Sequence, residues 1–201
     1  MSTGIVILAA GESARMGEPK QLLAYRRTTL LQHAIDTACS IHKAPVIVVL
    51  GAHAAQIRTE LDDPRVLVVT NADWHDGMGG SLRMGLSALL GAQPDVSAAI
   101  FMLCDQPHVS PATLAQLIAT HERTGFAIVS SEYDGTLGVP ALFAREMFQQ
   151  LLALRGSEGA RQIIRGLRDD AIGVPFHDGA VDIDTPADYA RLTDSHALTS
   201  A

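Results

Sequence analysis

Apolar residues in this chain fall into short continuous runs separated by stretches with helical spacing. Candidate strands occupy 4–10, 45–50 (PVIVVL), 65–70 (RVLVVT), 98–104 (AAIFMLC) and 126–131 (FAIVSS). Polar residues do not alternate with apolar ones inside these runs, the pattern of strands buried on both faces. Between them, at 29–41, 53–61, 80–91 and 111–124, apolar positions recur at helical spacing. Strand–helix repetition predicts right-handed βαβ crossovers and a three-layer α/β/α sandwich. Ser110-Pro111 is a helix start, with Ser as N-cap and Pro at the first helical position. Thr185-Pro186-Ala187-Asp188 repeats that arrangement with an acid at N3.

The last third is less regular. Residues 132–141 (EYDGTLGVPA) read as a turn or hairpin region, with Gly135, Gly138 and Pro140 as breakers. Helices are predicted at 143–154 and 157–168, strands at about 171–176 and 180–184, and a last helix at 186–193. With no internal repeat, low-complexity tract or linker, the chain reads as one domain over 1–194 with a frayed tail at 195–201. Its halves meet near residue 109.

Composition narrows the class. The chain has 201 residues, enough for one sizeable core, and its 47% hydrophobic content argues against disorder. A formal charge of −7 argues against nucleic-acid binding, which needs a basic face. No apolar run is long enough for a membrane helix, and MSTG lacks the charged region of a signal peptide. Cys39 and Cys104 form no CxxC pair, so a reduced, cytoplasmic setting is expected.

Candidate chemistry clusters at strand ends. IVILAAGESARMGEPK at 5–20 is a buried strand delivering a Gly-containing loop with Arg15, Gly17 and Lys20. Small anions bind at such strand ends in open α/β sheets, but the spacing fits neither Walker A nor GxGxxG. The loop is either a phosphate site of another type or a surface loop with two solvated cations. Asp105 follows the run AAIFML; it is either a magnesium ligand facing the same crevice or the cap of a turn before Pro107. Alternation on a strand would put Asp182 and Asp184 on one face, where a metal could bridge them or water could solvate them. Asn71 to Gly85 (NADWHDGMGGSLRMG) sets Gly77, Gly79, Gly80 and Ser81 at a helix start able to receive an anion or a base edge. The alternative is a connecting loop anchored by Trp74. Arg161 is either an anion-binding group for a second substrate or one charge on an amphipathic helix. No His pair has metal spacing and GxSxG is absent.

Together these segments resemble a known family. LAAGESARMGEPK at 8–20 is similar to the LAAGxSxRMGxxK signature of the MobA-like nucleotidyltransferases, and CDQPHV at 104–109 is similar to their central metal-binding segment. GVPALF at 138–143, GSEGAR at 156–161 and DIDTPADY at 182–189 follow in family order. The set resembles the molybdenum cofactor cytidylyltransferase branch most, over roughly 4–190. The resemblance implies a Rossmann-like, nucleotide-diphospho-sugar transferase-like fold, with the nucleotide on the first half and the acceptor on the second. It puts Leu8, Ala9, Ala10 and Gly11 against base and ribose, and Arg15 and Lys20 on the triphosphate. Asn71, Gly79 and Ser81 would help hold base and sugar. Asp105 would bind Mg2+ (or Mn2+) with a second acid from Asp182 or Asp184. Gly138, Pro140 and Arg161 would face a molybdopterin-type acceptor. Ala9-Ala10, where guanylyl-transferring relatives carry Gly-Gly, favours CTP; Ser157 stands where the family often has Asp.

The implied reaction moves CMP from CTP to a phosphate and releases pyrophosphate, with Arg15, Lys20 and Asp105 as the catalytic groups. A molybdoenzyme or its chaperone would be the protein partner; nucleic acid and membrane are not expected. Other acceptors, methylerythritol phosphate or a sugar 1-phosphate, fit the same machinery. A non-catalytic carrier of nucleotide or molybdopterin is the alternative of another class. A redox role finds no dinucleotide fingerprint or cysteine pair in the sequence.

Overall fold

The computed structural model describes residues 2–41, 45–156, 158–167 and 170–199. Nine strands are described: β1 (Thr3–Ala9), β2 (Ala24–Tyr25), β3 (Thr28–Thr29), β4 (Val46–Leu50), β5 (Val66–Thr70), β6 (Ala98–Leu103), β7 (Ile128–Tyr133), β8 (Thr136–Ala144) and β9 (Ala171–Pro175). The helices are α1 (Leu30–Cys39), α2 (Ala54–Glu60), α3 (Met78–Ala92), α4 (Pro111–Thr124), α5 (Phe148–Ala153), α6 (Ala160–Gly166) and α7 (Pro186–Thr199). Seven strands form one sheet in the order β5-β4-β1-β6-β8-β7-β9, and β2 with β3 makes a small antiparallel ribbon.

The continuous apolar runs have the expected origin. Along β1, Ile5, Ile7 and Ala9 pack into the core on one face of the sheet, and Val6 and Leu8 into the core on the other. Each buried Ile, Val or Leu among them contributes about 1.5–3 kcal/mol relative to exposure. Helices α1 and α4 cover the first face, while α3, α5 and α6 cover the second. β1 pairs in parallel with both β4 and β6, so the chain winds one way from β1 and later returns to its other side. That reversal is a topological switch point, where the ends of neighbouring strands leave a crevice.

The second half departs from expectation at two places. The 132–141 region forms a β-hairpin as the sequence suggests, but its second strand, β8, runs antiparallel between β6 and β7 and takes in the expected breakers. Gly138 and Pro140 lie inside that strand, next to a register shift at Ser130/Ser131. Pro cannot donate to a ladder, so it is tolerated at such an irregularity. Buried hydroxyls satisfy the local carbonyls: Ser130 Oγ donates to Gly138 O (2.6 Å) and Ser131 Oγ to Pro140 O (2.8 Å). No strand forms at 180–184; His177–Ala180 is a 3-10 turn followed by extended chain.

Both helix starts behave as the sequence predicts. Ser110 and Thr113 cap α4 reciprocally. Thr185 Oγ1 accepts from Asp188 N (3.2 Å), and Asp188 Oδ2 accepts from Thr185 N (2.8 Å), fixing the start of α7. α7 continues to Thr199, past the predicted end at 193. Ser157 and residue 168, the predicted limits of the helix at 157–168, lie outside the described residues. Among the described residues no helix is long and apolar enough to cross a membrane.

Close packing of α3 on the sheet needs Gly85. A Cβ there would lie 2.4 Å from Val6 Cγ1 and 2.9 Å from Val49 Cγ2, both on stiff β-branched side chains. Gly85→Ala should cost about 1–3 kcal/mol from overpacking, partly offset by up to ~1 kcal/mol of helix propensity. Urea denaturation should show a lower midpoint; an unchanged or higher midpoint would contradict this packing.

Candidate active site

The loop after β1 is held from both sides. Gln21, fully buried, donates from Nε2 to Ala9 O (2.9 Å) and Gly11 O (3.1 Å). Ser13, with φ at 58°, turns the chain and accepts on Oγ from Lys20 N (3.1 Å). Met16 is buried with Leu23, Tyr25, Leu30, Ile183 and Leu192 in a small core of its own. Burial of both Met16 and Ile183 brings their neighbours Arg15 and Asp184 together.

Lys20 is the centre of the resulting cluster. Its Nζ donates to Asp105 Oδ2 at the end of β6 and to Asp184 Oδ1 (3.0 Å) before α7. Arg15 donates to the other oxygen of Asp184 (2.8 Å) and is largely exposed at the rim. Burial opposes the Lys20 charge, but Asp105 and then Asp184 override it, so the ammonium is held above its ordinary pKa. Burial raises Asp184, yet Lys20 and Arg15 outweigh it and hold that carboxyl below its ordinary value. Cys104 is pushed up to about 12 by burial and by Asp105, which leaves a neutral thiol.

Two cavities flank this cluster. The smaller, 220 Å³, is lined by Leu8, Ala9, Ala10, Gly11, Lys20 and Asp105, with Ser81, Gln21, Trp74 and Met78. The larger, 530 Å³, is lined by Leu8, Leu103, Gln106, Tyr133, Val139, Arg161 and Asp182, among others. Arg161 donates to Tyr133 Oη (3.1 Å) and lies 5.9 Å from that ring's centroid. Tyr133 Oη in turn donates to Val139 O (3.2 Å). The fixed ring explains Gly138, where a Cβ would come within 2.2 Å of Tyr133 Oη.

The predicted site residues therefore divide. Leu8, Ala9, Ala10, Gly11, Lys20, Ser81 and Asp105 meet around one cavity, with Arg15 at its edge. Asn71 and Gly79 do not line it. Asn71 is buried and donates from Nδ2 to Ser81 Oγ (3.0 Å), while Gly79 N donates to Gly156 O (3.0 Å). Both position the start of α3. Arg161 lines the larger cavity, whereas Gly138 and Pro140 lie within β8 and are not among its lining residues. Asp182 and Asp184 do not share a strand face. Without a strand at 180–184, buried Ile183 separates an Asp184 on Lys20 from an Asp182 on the larger cavity. Among the described residues, no three Asp, Glu, His or Cys side chains converge as a ready-made metal cage. Gln21, Gln106 and Tyr133 were not foreseen. Gln21 was legible only as a polar residue within a loop, and Gln106 only as the neighbour of Asp105.

Donors for a hard cation are nonetheless present. Asp105 and Asp184 direct one oxygen each at a single cationic nitrogen, and Asp105 Oδ1 is buried without a hydrogen bond. Two carboxylates with phosphate and water oxygens make a shell that suits Mg2+ or Mn2+.

A mostly parallel sheet with its switch-point crevice lined by a strand-end glycine, a buried lysine and acids from two distant segments fits an α/β nucleotidyltransferase. Over residues 5–172 the chain matches the MobA-like NTP transferase domain, and it belongs to that family. It is 33% identical to Rv0371c of Mycobacterium tuberculosis H37Rv, with a TM-score of 0.85 over 96% of this chain and 97% of that one. A structure of Rv0371c in complex with manganese, 32% identical, superimposes with a TM-score of 0.81 over 97% of this chain and 100% of that one. Nicotine blue oxidoreductase of Paenarthrobacter nicotinovorans is 37% identical over 143 residues, 70% of this chain and 66% of that protein. The bifunctional protein GlmU of Streptomyces avermitilis is 30% identical over 182 residues, 87% of this chain but 37% of its own length. The chain thus spans about two thirds of the first curated relative and about a third of the second.

Asp182 carries the clearest pH signature. Burial, then Asp105 and Asp184, push its pKa up to about 6, from an ordinary 3.8. Ionised Asp182 therefore costs the native state above pH 6, and this cost disappears as pH falls below 4, where both states are protonated. In EDTA-treated protein, Asp182→Asn should raise the thermal midpoint at pH 7.5 and leave it unchanged near pH 3.5. A lower midpoint at pH 7.5 would contradict the assignment.

Proposed function

We propose that this protein transfers CMP from CTP to the terminal phosphate of a molybdopterin-type acceptor and releases pyrophosphate. The observation that carries the reading is the convergence of Asp105 and Asp184 on Lys20 beside the Gly11 turn. The acceptor phosphate oxygen attacks the α-phosphorus in line. Its new P–O bond forms as the bond to the β-phosphate bridging oxygen breaks, and that electron pair leaves on pyrophosphate. The attacking group is already an anion, so no general base is needed, and no histidine or serine nucleophile is called for. Catalysis then rests on positioning and on charge neutralisation.

Each residue has a task in this scheme. The Leu8–Gly11 turn receives base and ribose, and Ala9-Ala10 favours the smaller cytosine. Lys20 leaves its carboxylates for the triphosphate, and Arg15 swings in from the rim to meet charge that builds on pyrophosphate. Asp105 and Asp184 would hold Mg2+ or Mn2+, which when bound neutralises phosphate oxygens. The manganese complex of Rv0371c supports a divalent metal. The larger cavity takes the body of the acceptor.

One observation favours a second reading. The relative at 37% identity is named an oxidoreductase. In this chain Cys39 and Cys104 are both free, and burial raises the pKa of each thiol. An absorbance change with NAD(P)H and a flavin would favour that reading.

Pyrophosphate release from CTP, GTP and ATP against purified molybdopterin, with Mg2+ or Mn2+, tests the proposal. CTP with molybdopterin should be the best pair, and Asp105→Asn should lower turnover by about 10²-fold or more with the fold intact. Release only with methylerythritol phosphate or a sugar 1-phosphate would replace the acceptor. Tight binding without any release would indicate a carrier.

A further inference from the structure

The turn that carries Asp105 is gripped from outside the ion cluster. Pro107, two residues on, is buried and has no N–H, so its carbonyl is its one main-chain hydrogen-bonding group. Two side chains from early in the chain converge on that oxygen. His33 of α1 meets it through Nε2 (3.1 Å), and Tyr25 of β2 donates to it from Oη (3.4 Å). A carbonyl only accepts, so Nε2 of His33 carries the proton. Burial, then the Arg26 guanidinium, hold His33 below its ordinary pKa, so near pH 7 it is a neutral donor. The two rings also meet edge to face, with centroids 4.9 Å apart and planes at 76°.

Tyr25 reaches all three segments of the cluster. Its ring, 2% exposed, belongs to the small core with Met16, next to Arg15, and Ile183, next to Asp184. Its hydroxyl ends at the turn after Asp105. Ile183 N closes the same circuit by donating to Asp105 O (3.0 Å). The Asp105 side chain has less support of its own: Oδ2 takes a hydrogen bond from Lys20, and Oδ1 has none. Its place therefore depends on the main chain beneath it, which is held at Asp105 O and again at Pro107 O. Neither Tyr25 nor His33 lines either cavity beside the cluster, so both act from behind it.

We propose that His33 and Tyr25 are positioning residues for Asp105, acting through the carbonyl of Pro107. Their effect on turnover rests on the nucleotidyl-transfer reading, whereas their effect on the Lys20–Asp105 pair exists in the ligand-free protein. Removing the stronger donor leaves a buried carbonyl short of a partner, and the turn shifts to find one. A carboxylate displaced by about 1 Å is enough to slow a reaction that depends on positioning.

The sequence has two lysines, Lys20 and Lys43, so nitrogen-15 lysine labelling of the whole ligand-free protein gives two ammonium signals, and Lys20→Met assigns them. Proton exchange of the Lys20 signal with water reports how firmly Asp105 holds it. At pH 7 in the cold the wild type should show a slowly exchanging Lys20 ammonium. His33→Leu should speed that exchange at least about fivefold while the amide spectrum stays native. His33→Gln restores an N–H donor at the same reach and should return the rate to within about twofold of the wild type. Tyr25→Phe keeps the ring in its core and should shift the rate in the same direction as His33→Leu. In turnover with CTP and molybdopterin, His33→Leu should lower kcat about tenfold with the KM for CTP nearly unchanged, and His33→Gln should restore kcat. Wild-type exchange in both His33→Leu and Tyr25→Phe overturns the proposal. So does exchange in His33→Gln as fast as in His33→Leu, or the absence of a slow Lys20 signal in the wild type. Faster exchange in His33→Leu without pyrophosphate release from any of these proteins would remove the activity and keep the positioning role. Release at the wild-type rate in His33→Leu with unchanged exchange would do the reverse.

Discussion

The ammonium of Lys20 is the constraint on which this molecule is organised. It sits in a part-buried crevice and is met by carboxylates from residues 105 and 184, which are otherwise far apart in the chain. A buried charge is tolerated only when paired and hydrogen-bonded. The loop at 10–20, the end of β6 and the approach to α7 must therefore all be in place at once. Met16 and Ile183 secure that arrangement by sharing a small apolar core. The same arrangement gathers two cations, Lys20 and the rim residue Arg15, and two anions at the point where the sheet's winding reverses.

Such a cluster is balanced in the free protein and convertible by ligand. In the proposed reading, Asp105 and Asp184, paired with Lys20 in the free protein, would be the residues that hold a divalent cation. Phosphates offer Lys20 another partner, and metal offers the acids another cation. Positioning residues around the cluster are as necessary as the charged ones. Gln21 fixes the carbonyls of Ala9 and Gly11, Asn71 ties β5 to Ser81, and Gln106 joins β8 to the turn at Gly179.

Much of this was legible in the sequence because it depends on local rules. Continuous apolar runs identified the strands, although β5 at the sheet edge is only half-buried and leaves Leu67 exposed, and Ser110-Pro111 and Thr185-Pro186 marked their helices. The strand-end loop and Asp105 pointed to one crevice because strand ends in such sheets share an edge. Two features depend on tertiary context and were not legible. Gly138 and Pro140 look like breakers, yet buried serine hydroxyls and a register shift accommodate them inside β8. Asp182 and Asp184 look like neighbours on a strand face, yet burial of Ile183 in an irregular segment leaves Asp182 on the larger cavity and Asp184 on Lys20 and Arg15. Side-chain amides such as Gln21 and Gln106 carry no sequence signal for which carbonyls they will meet.

The substitution of metal for ammonium between Asp105 and Asp184 is measured most directly by Mn2+ binding to nucleotide-free protein, followed by electron paramagnetic resonance. Lys20→Met removes the cation that the two acids share and leaves Asp105 without its ion pair, with Arg15 still on Asp184. The account predicts Mn2+ affinity at least tenfold higher than in the wild type, with the gain lost when Asp184→Asn is added. Unchanged or weaker Mn2+ binding in Lys20→Met would contradict it.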